Sequence, residues 1–445
     1  MTLHWTFPRA FWTANVVELF ERAAYYAVFI ALTLYLTEVV GFDDIWAAWI
    51  AGMFSAGLYF LPPFTGAFAD AIGFRRALLL AFSLLTVGYF TLGVLPYKAA
   101  VLPAIVVLMF GGSFIKSIIT GTVAKTSDSA LRARAFSIFY GIVNVGSFSG
   151  KSLAYPLRLH LGLEAINLYA AGMTLLALVV VWVFFRNIDI HGEGRGVREA
   201  WKGFVRILKN GRLISLIVIV TGFWIIQHQM YATMPKYVLR TVGRDASPEW
   251  IANVNPFVVV TCVLAVTHLM RRARAVTSIT VGMFLMPVSA LVMSSSPLVT
   301  WISGPMVHLP LGIQAHPVTV VLIAGIILQA LGECFISPRY LEFFSLQAPK
   351  GEEGLYLGFS HLHSFFSSLL GFGISGYLLS AYCPDPSTLT PEVIAHAYDR
   401  SHILWYYFAA IGLVSAVALL IYTRVVAALD ARGRTSVPAE RADGG

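Results

Sequence analysis

Apolar and polar positions along this chain fall into long blocks. Extended apolar runs are separated by short polar or Pro/Gly breaks. About 20 mostly apolar residues in a helix span the hydrocarbon core of a bilayer. In the first half the runs cover 10–37, 46–69, 76–95, 101–122, 136–156 and 166–186. In the second they cover 213–235, 252–270, 276–297, 317–344, 355–380 and 402–425. The pattern predicts an all-α polytopic membrane protein with about twelve transmembrane helices. A β-barrel would show short alternating segments instead. One long polar stretch, Asn187 to Arg212, falls at the midpoint. The expected domains are an N-terminal six-helix bundle (1–187), a cytoplasmic linker (188–212), a C-terminal six-helix bundle (213–428) and a disordered polar tail (429–445).

Composition strengthens this picture. The chain is 58% hydrophobic and 12% charged, with a mean hydropathy of +0.74, which excludes an ordinary soluble domain. The first apolar run lacks a small-residue cleavage site and reads as a span rather than a removed signal. The formal charge of +8 is informative loop by loop. With both termini cytoplasmic, 21 of the 31 Lys and Arg residues fall on the inner side and six on the outer. The other four, Arg22, Lys116, Lys151 and Arg339, fall within spans. This asymmetry predicts cytoplasmic termini and a multi-pass protein of the plasma (inner) membrane. The basic balance is thereby used on the bilayer, and no nucleic-acid partner is expected. In the linker, "GVREAWKGFVRILKN" (196–210) has an apolar stripe and a basic face, as in a helix lying along the inner membrane surface. Cys262, Cys334 and Cys383 are far apart and suggest neither a metal site nor a disulfide framework.

Charges inside spans are costly and therefore point to function. In "FWTANVVELFERAAYYAVFIALTLYL" (11–36), Glu18 stands i, i+3 from Glu21 and i, i+4 from Arg22. Tyr25 and Tyr26 continue the same side. This stripe must face a bundle interior or a wet cavity; the competing reading is a salt bridge that pins two helices. Lys116, in the fourth span, needs a carboxylate partner, for which Glu18 and Glu21 are candidates. Glu333, in the tenth, precedes Ser337-Pro338, where a kink or break is expected. It reads either as a ligand site on a broken helix or as a partner for a buried cation. No Ser/His/Asp set, H-E-x-x-H or paired-Asp motif stands at useful spacing, so no enzyme activity is expected.

Several stretches carry a family resemblance. "GAFADAIGFRR" (66–76) resembles the G-x-x-x-D-x-x-G-x-R-R loop of the major facilitator superfamily. In it Gly66 and Gly73 permit a tight turn, Asp70 is expected to cap a helix N-terminus, and Arg75 and Arg76 hold the inner face. "ELFER" followed by "YY" matches the E-x-x-E-R motif of proton-coupled oligopeptide transporters. "FYGIVNVGS" (139–147), "FWIIQHQ" (223–229), "NPFVVV" (255–260), "GECFISPRYLEFFSLQAPKG" (332–351) and Lys116 after "GGSF" resemble stretches of that family in the same order.

The resemblance implies a proton-coupled symporter working by alternating access, in the major facilitator fold of two six-helix halves. It implies a monomer that uses protons as coupling ion and needs no cofactor or metal. Its partners would be the lipid bilayer and a small-molecule or short-peptide substrate. Glu18, Glu21, Arg22 and Lys116 would form the proton-coupling network. Arg22 and Lys116 would attract a substrate carboxylate and Glu333 an amino group. Tyr25 and Tyr26 would line the cavity. Asn144, Lys151, His228 and Asn255 complete the expected substrate-binding set.

The chain also departs from that family. His228 replaces a glutamate usual in bacterial members, and Lys151 adds a cation deep in span five. His361 and His363 are unusual too; at i, i+2 they point to different helix faces and are not expected to share a metal. The extra cations would suit an anionic solute, such as a carboxylate, an acidic peptide or an inorganic anion. The alternatives to peptide uptake are therefore an anion carrier and, outside transport, a membrane sensor.

Overall fold

The computed structural model describes residues 7–127, 132–185, 196–347 and 359–435. Helix α1 (Arg9–Leu34) follows Pro8 and ends in a π-helical turn over Tyr35–Val39. Asp43 caps α2 (Asp44–Phe60) by accepting a 2.8 Å bond from the Trp46 amide. The pair Leu61-Pro62 then breaks the path, and α3 (Pro62–Ile72) leaves at 52°. The first half continues with α4 (Phe74–Val94), α5 (Lys98–Lys125), α6 (Arg132–Leu161) and α7 (Leu163–Phe184).

After α8 (Val197–Lys209) comes α9 (Gly211–Ala232). Expected span 213–235 stops at Ala232, because Pro235 opens a separate α10 (Met234–Thr241). Short α11 (Pro248–Ala252) and α12 (Val254–Leu269) follow, then α13 (Ala275–Ser294) and α14 (Ser296–Ser303). A two-stranded hairpin pairs β1 (Val307–His308) with β2 (Gln314–Ala315). The remaining helices are α15 (Pro317–Gln347), α16 (Leu362–Tyr382), α17 (Pro391–Ala397) and α18 (Ile403–Thr435).

Among the described residues, ten helices are long and apolar enough to cross a membrane, or eleven if the bent α2–α3 pair is one span. The twelfth expected span corresponds to α6. It is 30 residues long, but Lys151, Asn144 and its serines lower its hydropathy. It packs along α1 and α7 all the same. At Gly150 the approach is so close that an added Cβ would lie 2.2 Å from the Ala23 carbonyl oxygen, the small-residue contact by which membrane helices associate.

Two expectations about chain path change. α15 runs unbroken through Pro338, where a kink or break was expected. Ser278 Oγ on α13 also donates to the Phe335 carbonyl in this turn at 2.7 Å, tying α15 to its neighbour there. The tail was expected to begin at 429, yet α18 continues to Thr435; positions 436–445 lie outside the described residues, as do linker positions 188–195 and the end of the 332–351 stretch.

Within the first half, α1 packs on α5, α6 and α7, and α4 on α5 and α7. In the second, α9 packs on α16 and α18, and α13 on α15 and α18. The halves meet chiefly where α2 lies along α16, and also where α6 meets α11 and α12. That leaves α1, α5, α9, α12 and α15 to face one another around the axis.

Candidate functional site

The polar stripe of α1 faces this central space. Glu18 and Glu21 are buried, and both engage Arg22. Arg22 Nε lies 3.2 Å from Glu18 Oε1 and donates to Glu21 Oε2. The second oxygen of Glu18, Oε2, is buried without a hydrogen-bond partner. The guanidinium stands 5.2 Å from the Tyr25 ring and 6.0 Å from the Tyr26 ring, within cation–π range.

Lys116 differs from expectation. Neither glutamate is within ion-pair distance of it, because Arg22 holds both. Its Nζ lies instead over the Tyr59 ring of α2 at 4.5 Å. It is a cation of the first half that points at an aromatic face.

The anionic pole comes from the second half. Glu333 Oε2 on α15 accepts from Gln227 Nε2 on α9 at 3.0 Å and from Asn255 Nδ2 on α12 at 3.2 Å. Two neutral amides hold the carboxylate without cancelling its charge.

Between the poles lies a cavity of about 240 Å³, slightly below the usual ~300–1,000 Å³ of ligand pockets. Its wall includes Glu21, Arg22, Tyr25, Tyr26, Lys116, His228, Asn255 and Glu333. Sequence reasoning missed Phe29, Tyr59, Trp224, Gln227 and Tyr231, which complete much of the wall. Gln227 and Trp224 sit one helical turn apart inside "FWIIQHQ". Tyr231 follows Gln227 by one helical turn. Across the middle, Phe29 of the first half meets Tyr231 of the second at 4.7 Å between ring centroids.

Three expected site residues are not in the wall. Glu18 lies behind Arg22. Asn144 turns back on its own helix, donating from Nδ2 to the Tyr140 carbonyl at 2.8 Å. Lys151 is buried between α1, α6 and α11; its Nζ donates to the Ala252 carbonyl at 3.2 Å and lies 5.7 Å from the Tyr26 ring. His228 is in the wall, but both its nitrogens are engaged. Nδ1 meets the Trp224 carbonyl at 2.7 Å and so carries the hydrogen. Nε2 lies 3.1 Å from Ser368 Oγ on α16, which in turn lies 2.8 Å from Ser55 Oγ on α2. A hydrogen-bond chain thus runs from the cavity to the seam between halves. His361 and His363 have ring centroids 6.0 Å apart, and among the described residues no group of three His, Cys, Asp or Glu could hold a metal.

The loop motif lies away from the cavity. Gly73 takes φ +89°, a left-handed angle that disfavours other residues. Gly66 packs on Ser117 of α5. Asp70 was expected to cap a helix, but Gly73 occupies the N-cap of α4 and no side chain caps it. Arg75 pins the end of α7 by donating to the carbonyls of Phe185 at 2.9 Å and Trp182 at 2.8 Å, while Arg76 is exposed.

At the opposite end the two halves are tied by buried ion pairs. Asp44 at the start of α2 accepts from Lys236 Nζ at 2.7 Å and from both terminal nitrogens of Arg240, at 2.7 and 2.9 Å. Burial, opposed by the Asp44 carboxylate, holds the Lys236 ammonium below the ordinary lysine range. Arg158 on α6 pairs with Glu249 on α11 at 2.6 Å and also donates to the carbonyls of Arg244 and Ala246. On the expected topology, with cytoplasmic termini, this would be the outer end.

A family profile described as Major Facilitator Superfamily matches residues 15–313. The chain belongs to the Major Facilitator Superfamily. As a member of it, the protein is a multi-pass membrane transporter rather than an enzyme. Its relatives narrow the comparison. Dipeptide and tripeptide permease B of Photorhabdus asymbiotica is 25% identical over 95% of this chain and 96% of the relative. Among solved structures, a POT family transporter in complex with 5-aminolevulinic acid superposes with a TM-score of 0.74, at 16% identity over 95% of this chain and 98% of that one. A POT family transporter in complex with a thioalcohol-conjugated peptide gives 0.75, also at 16% identity and the same coverage. The likeness to this branch of the superfamily, first visible in "ELFER", extends over the whole fold.

Proposed function

We propose that this chain is a proton-coupled symporter of dipeptides, tripeptides and similar zwitterions, acting by alternating access. One observation carries the reading: a single cavity is walled by an unpaired lysine from one half and an amide-held glutamate from the other. Lys116 and Arg22 suit a substrate carboxylate, and Glu333 suits its amino group. Placing the poles on different halves makes the substrate itself a tie between them.

Glu21 and Glu18 supply the coupling. A proton on Glu21 removes a charge that holds Arg22 and frees the guanidinium for the substrate carboxylate. Release of substrate and proton inward restores the pair. The halves, 1–187 and 213–428, rock against each other, with the Asp44–Lys236–Arg240 and Arg158–Glu249 ties closing the outer side. Cytoplasmic termini, a monomeric state, a cytoplasmic 188–212 linker and a place in the plasma (inner) membrane belong to the same reading.

The anion-carrier reading loses its motive. It drew on extra cations in the cavity, but Lys151 lies against Tyr26 outside the wall and His228 is hydrogen-bonded through both nitrogens. The test is uptake of a labelled dipeptide into proteoliposomes with an acidic exterior. Accumulation above the external concentration, abolished by dissipating the proton gradient, supports the proposal. Uptake that ignores the gradient overturns the coupling, and lack of any peptide uptake or counterflow overturns the substrate.

A further inference from the structure

Helix α8, between the halves, presents three different sides. Arg198, Lys202 and Lys209 recur within one narrow sector at 100° per residue and are exposed. Gly203 and Ile207 lie opposite and are buried, seating the helix on α3 and α9. Trp201 and Leu208 flank the basic sector and are half-exposed apolar groups, at 52% and 44%.

Its remaining contact is with the mouth of the transporter at the α3 end. Phe204 meets Phe60, the last residue of α2, edge-on at 5.6 Å between centroids. The same ring meets Phe359, which precedes α16, at 5.5 Å. Phe60 also meets Phe365 of α16 at 5.3 Å. Phe60 belongs to the first half; Phe359 and Phe365 belong to the second. Parting the halves at this end requires Phe204 to leave one of its two partners.

We propose that α8 is a latch on the inner mouth, held in its closed seat by anionic phospholipid headgroups bound along Arg198, Lys202 and Lys209. The inference rests on the alternating-access reading. The basic sector points away from the aromatic seat, so headgroups and Phe60–Phe359 are engaged at once. Trp201 and Leu208 add the apolar edge that an interfacial helix sinks into the headgroup layer. Charge complementarity selects an anionic surface. Lipid composition then sets how readily the inner mouth opens.

The test uses spin labels at Ala71 on α3 and Arg274 before α13, both exposed positions on different halves. A second pair reports the outer end. Distances are measured by electron–electron resonance on the full chain in nanodiscs of phosphatidylcholine alone, or with about one quarter phosphatidylglycerol. The expected result is an open-to-closed population ratio at the inner pair about threefold lower with phosphatidylglycerol. Replacing Arg198, Lys202 and Lys209 together by Gln should erase the lipid difference. Phe204→Ala should favour the open inner mouth in both lipids, while Phe204→Leu, which keeps apolar bulk, separates loss of the ring contact from loss of folding. Equal wild-type distributions in the two lipids, or an unchanged distribution in Phe204→Ala, overturn the latch. If neither pair moves with lipid, pH or added dipeptide, alternating access itself falls and takes the latch with it.

Discussion

Asp44 and Lys236 meet at 2.7 Å across the two halves, with both side chains nearly inaccessible to solvent. Arg240 shares the same carboxylate and also lies 3.5 Å from Asp385, so Lys236 depends on Asp44 more fully than Arg240 does. Asp44→Asn leaves the buried Lys236 without a carboxylate and Arg240 with Asp385 alone, a loss of about 3–5 kcal/mol for a broken buried pair. On the proposed topology and alternating access, the pair holds the outer end closed, so the expected outcome is an outward-open shift, read as faster labelling of a cavity cysteine from outside. Exchanging the charges between positions 44 and 236 should restore part of the closed population. Unchanged labelling in Asp44→Asn would show that the tie does not hold the outer end.

Glu21→Gln keeps the volume of the side chain but removes the group that gains and loses a proton. Arg22 then loses one of its two carboxylates. Gradient-driven accumulation should disappear, while counterflow of unlabelled for labelled dipeptide persists. Comparing both assays on the same proteoliposomes checks this; accumulation that survives in Glu21→Gln assigns coupling elsewhere.

Glu333 has Gln227 and Asn255 as its hydrogen-bond donors, leaving its charge for the substrate. Glu333→Gln should weaken binding of a free dipeptide about tenfold, the scale of one charge-assisted hydrogen bond. The wild type should prefer a free amino terminus over an N-acetylated one, and the variant should lose that preference. Thermal shift with the two peptides gives the answer.

Lys116 is the matching case for the other end of the substrate. Lys116→Ala should lower affinity for a dipeptide about tenfold or more and leave the corresponding peptide amide little affected. Equal losses for both ligands would mean that Lys116 supports the cavity rather than binding a carboxylate.

His228 ties the cavity to the α2–α16 seam through Ser368 and Ser55. His228→Gln preserves a partner for Ser368 and should retain transport with an unchanged pH profile. His228→Ala should reduce the transport rate by breaking the chain. A shifted pH profile in His228→Gln would instead make this histidine part of the coupling.

How much of this was legible beforehand varies with distance along the chain. The span pattern depends on block hydrophobicity, and the Glu18–Arg22 stripe on helical periodicity; both are local and could be read directly. The partner of Lys116 could not, because three basic and acidic groups compete and only packing shows that Arg22 takes both glutamates. Asn144 was named from its place in a motif and Lys151 as a cation departing from one, but the side-chain direction of both depends on how α6 rotates against α1. The outer ties were hidden for another reason. Lys236 and Arg240 stand i, i+4 in "KYVLR", a visible pair, yet nothing near them in the chain indicates Asp44, almost two hundred positions earlier. The break expected at Pro338 was a local rule, and it did not anticipate how closely α15 packs along α13 through this turn.

The low hydropathy of α6 has a consequence for biogenesis. A segment carrying Lys151, Asn144 and several serines inside its span gains too little from lipid to insert readily on its own. Its place in the bilayer comes from α1, against which Gly150 fits, and from α7, made just afterwards. Membrane integration of α6 is therefore a cooperative event that waits for its neighbours, and enlarging Gly150 should be felt first as a failure of assembly during synthesis.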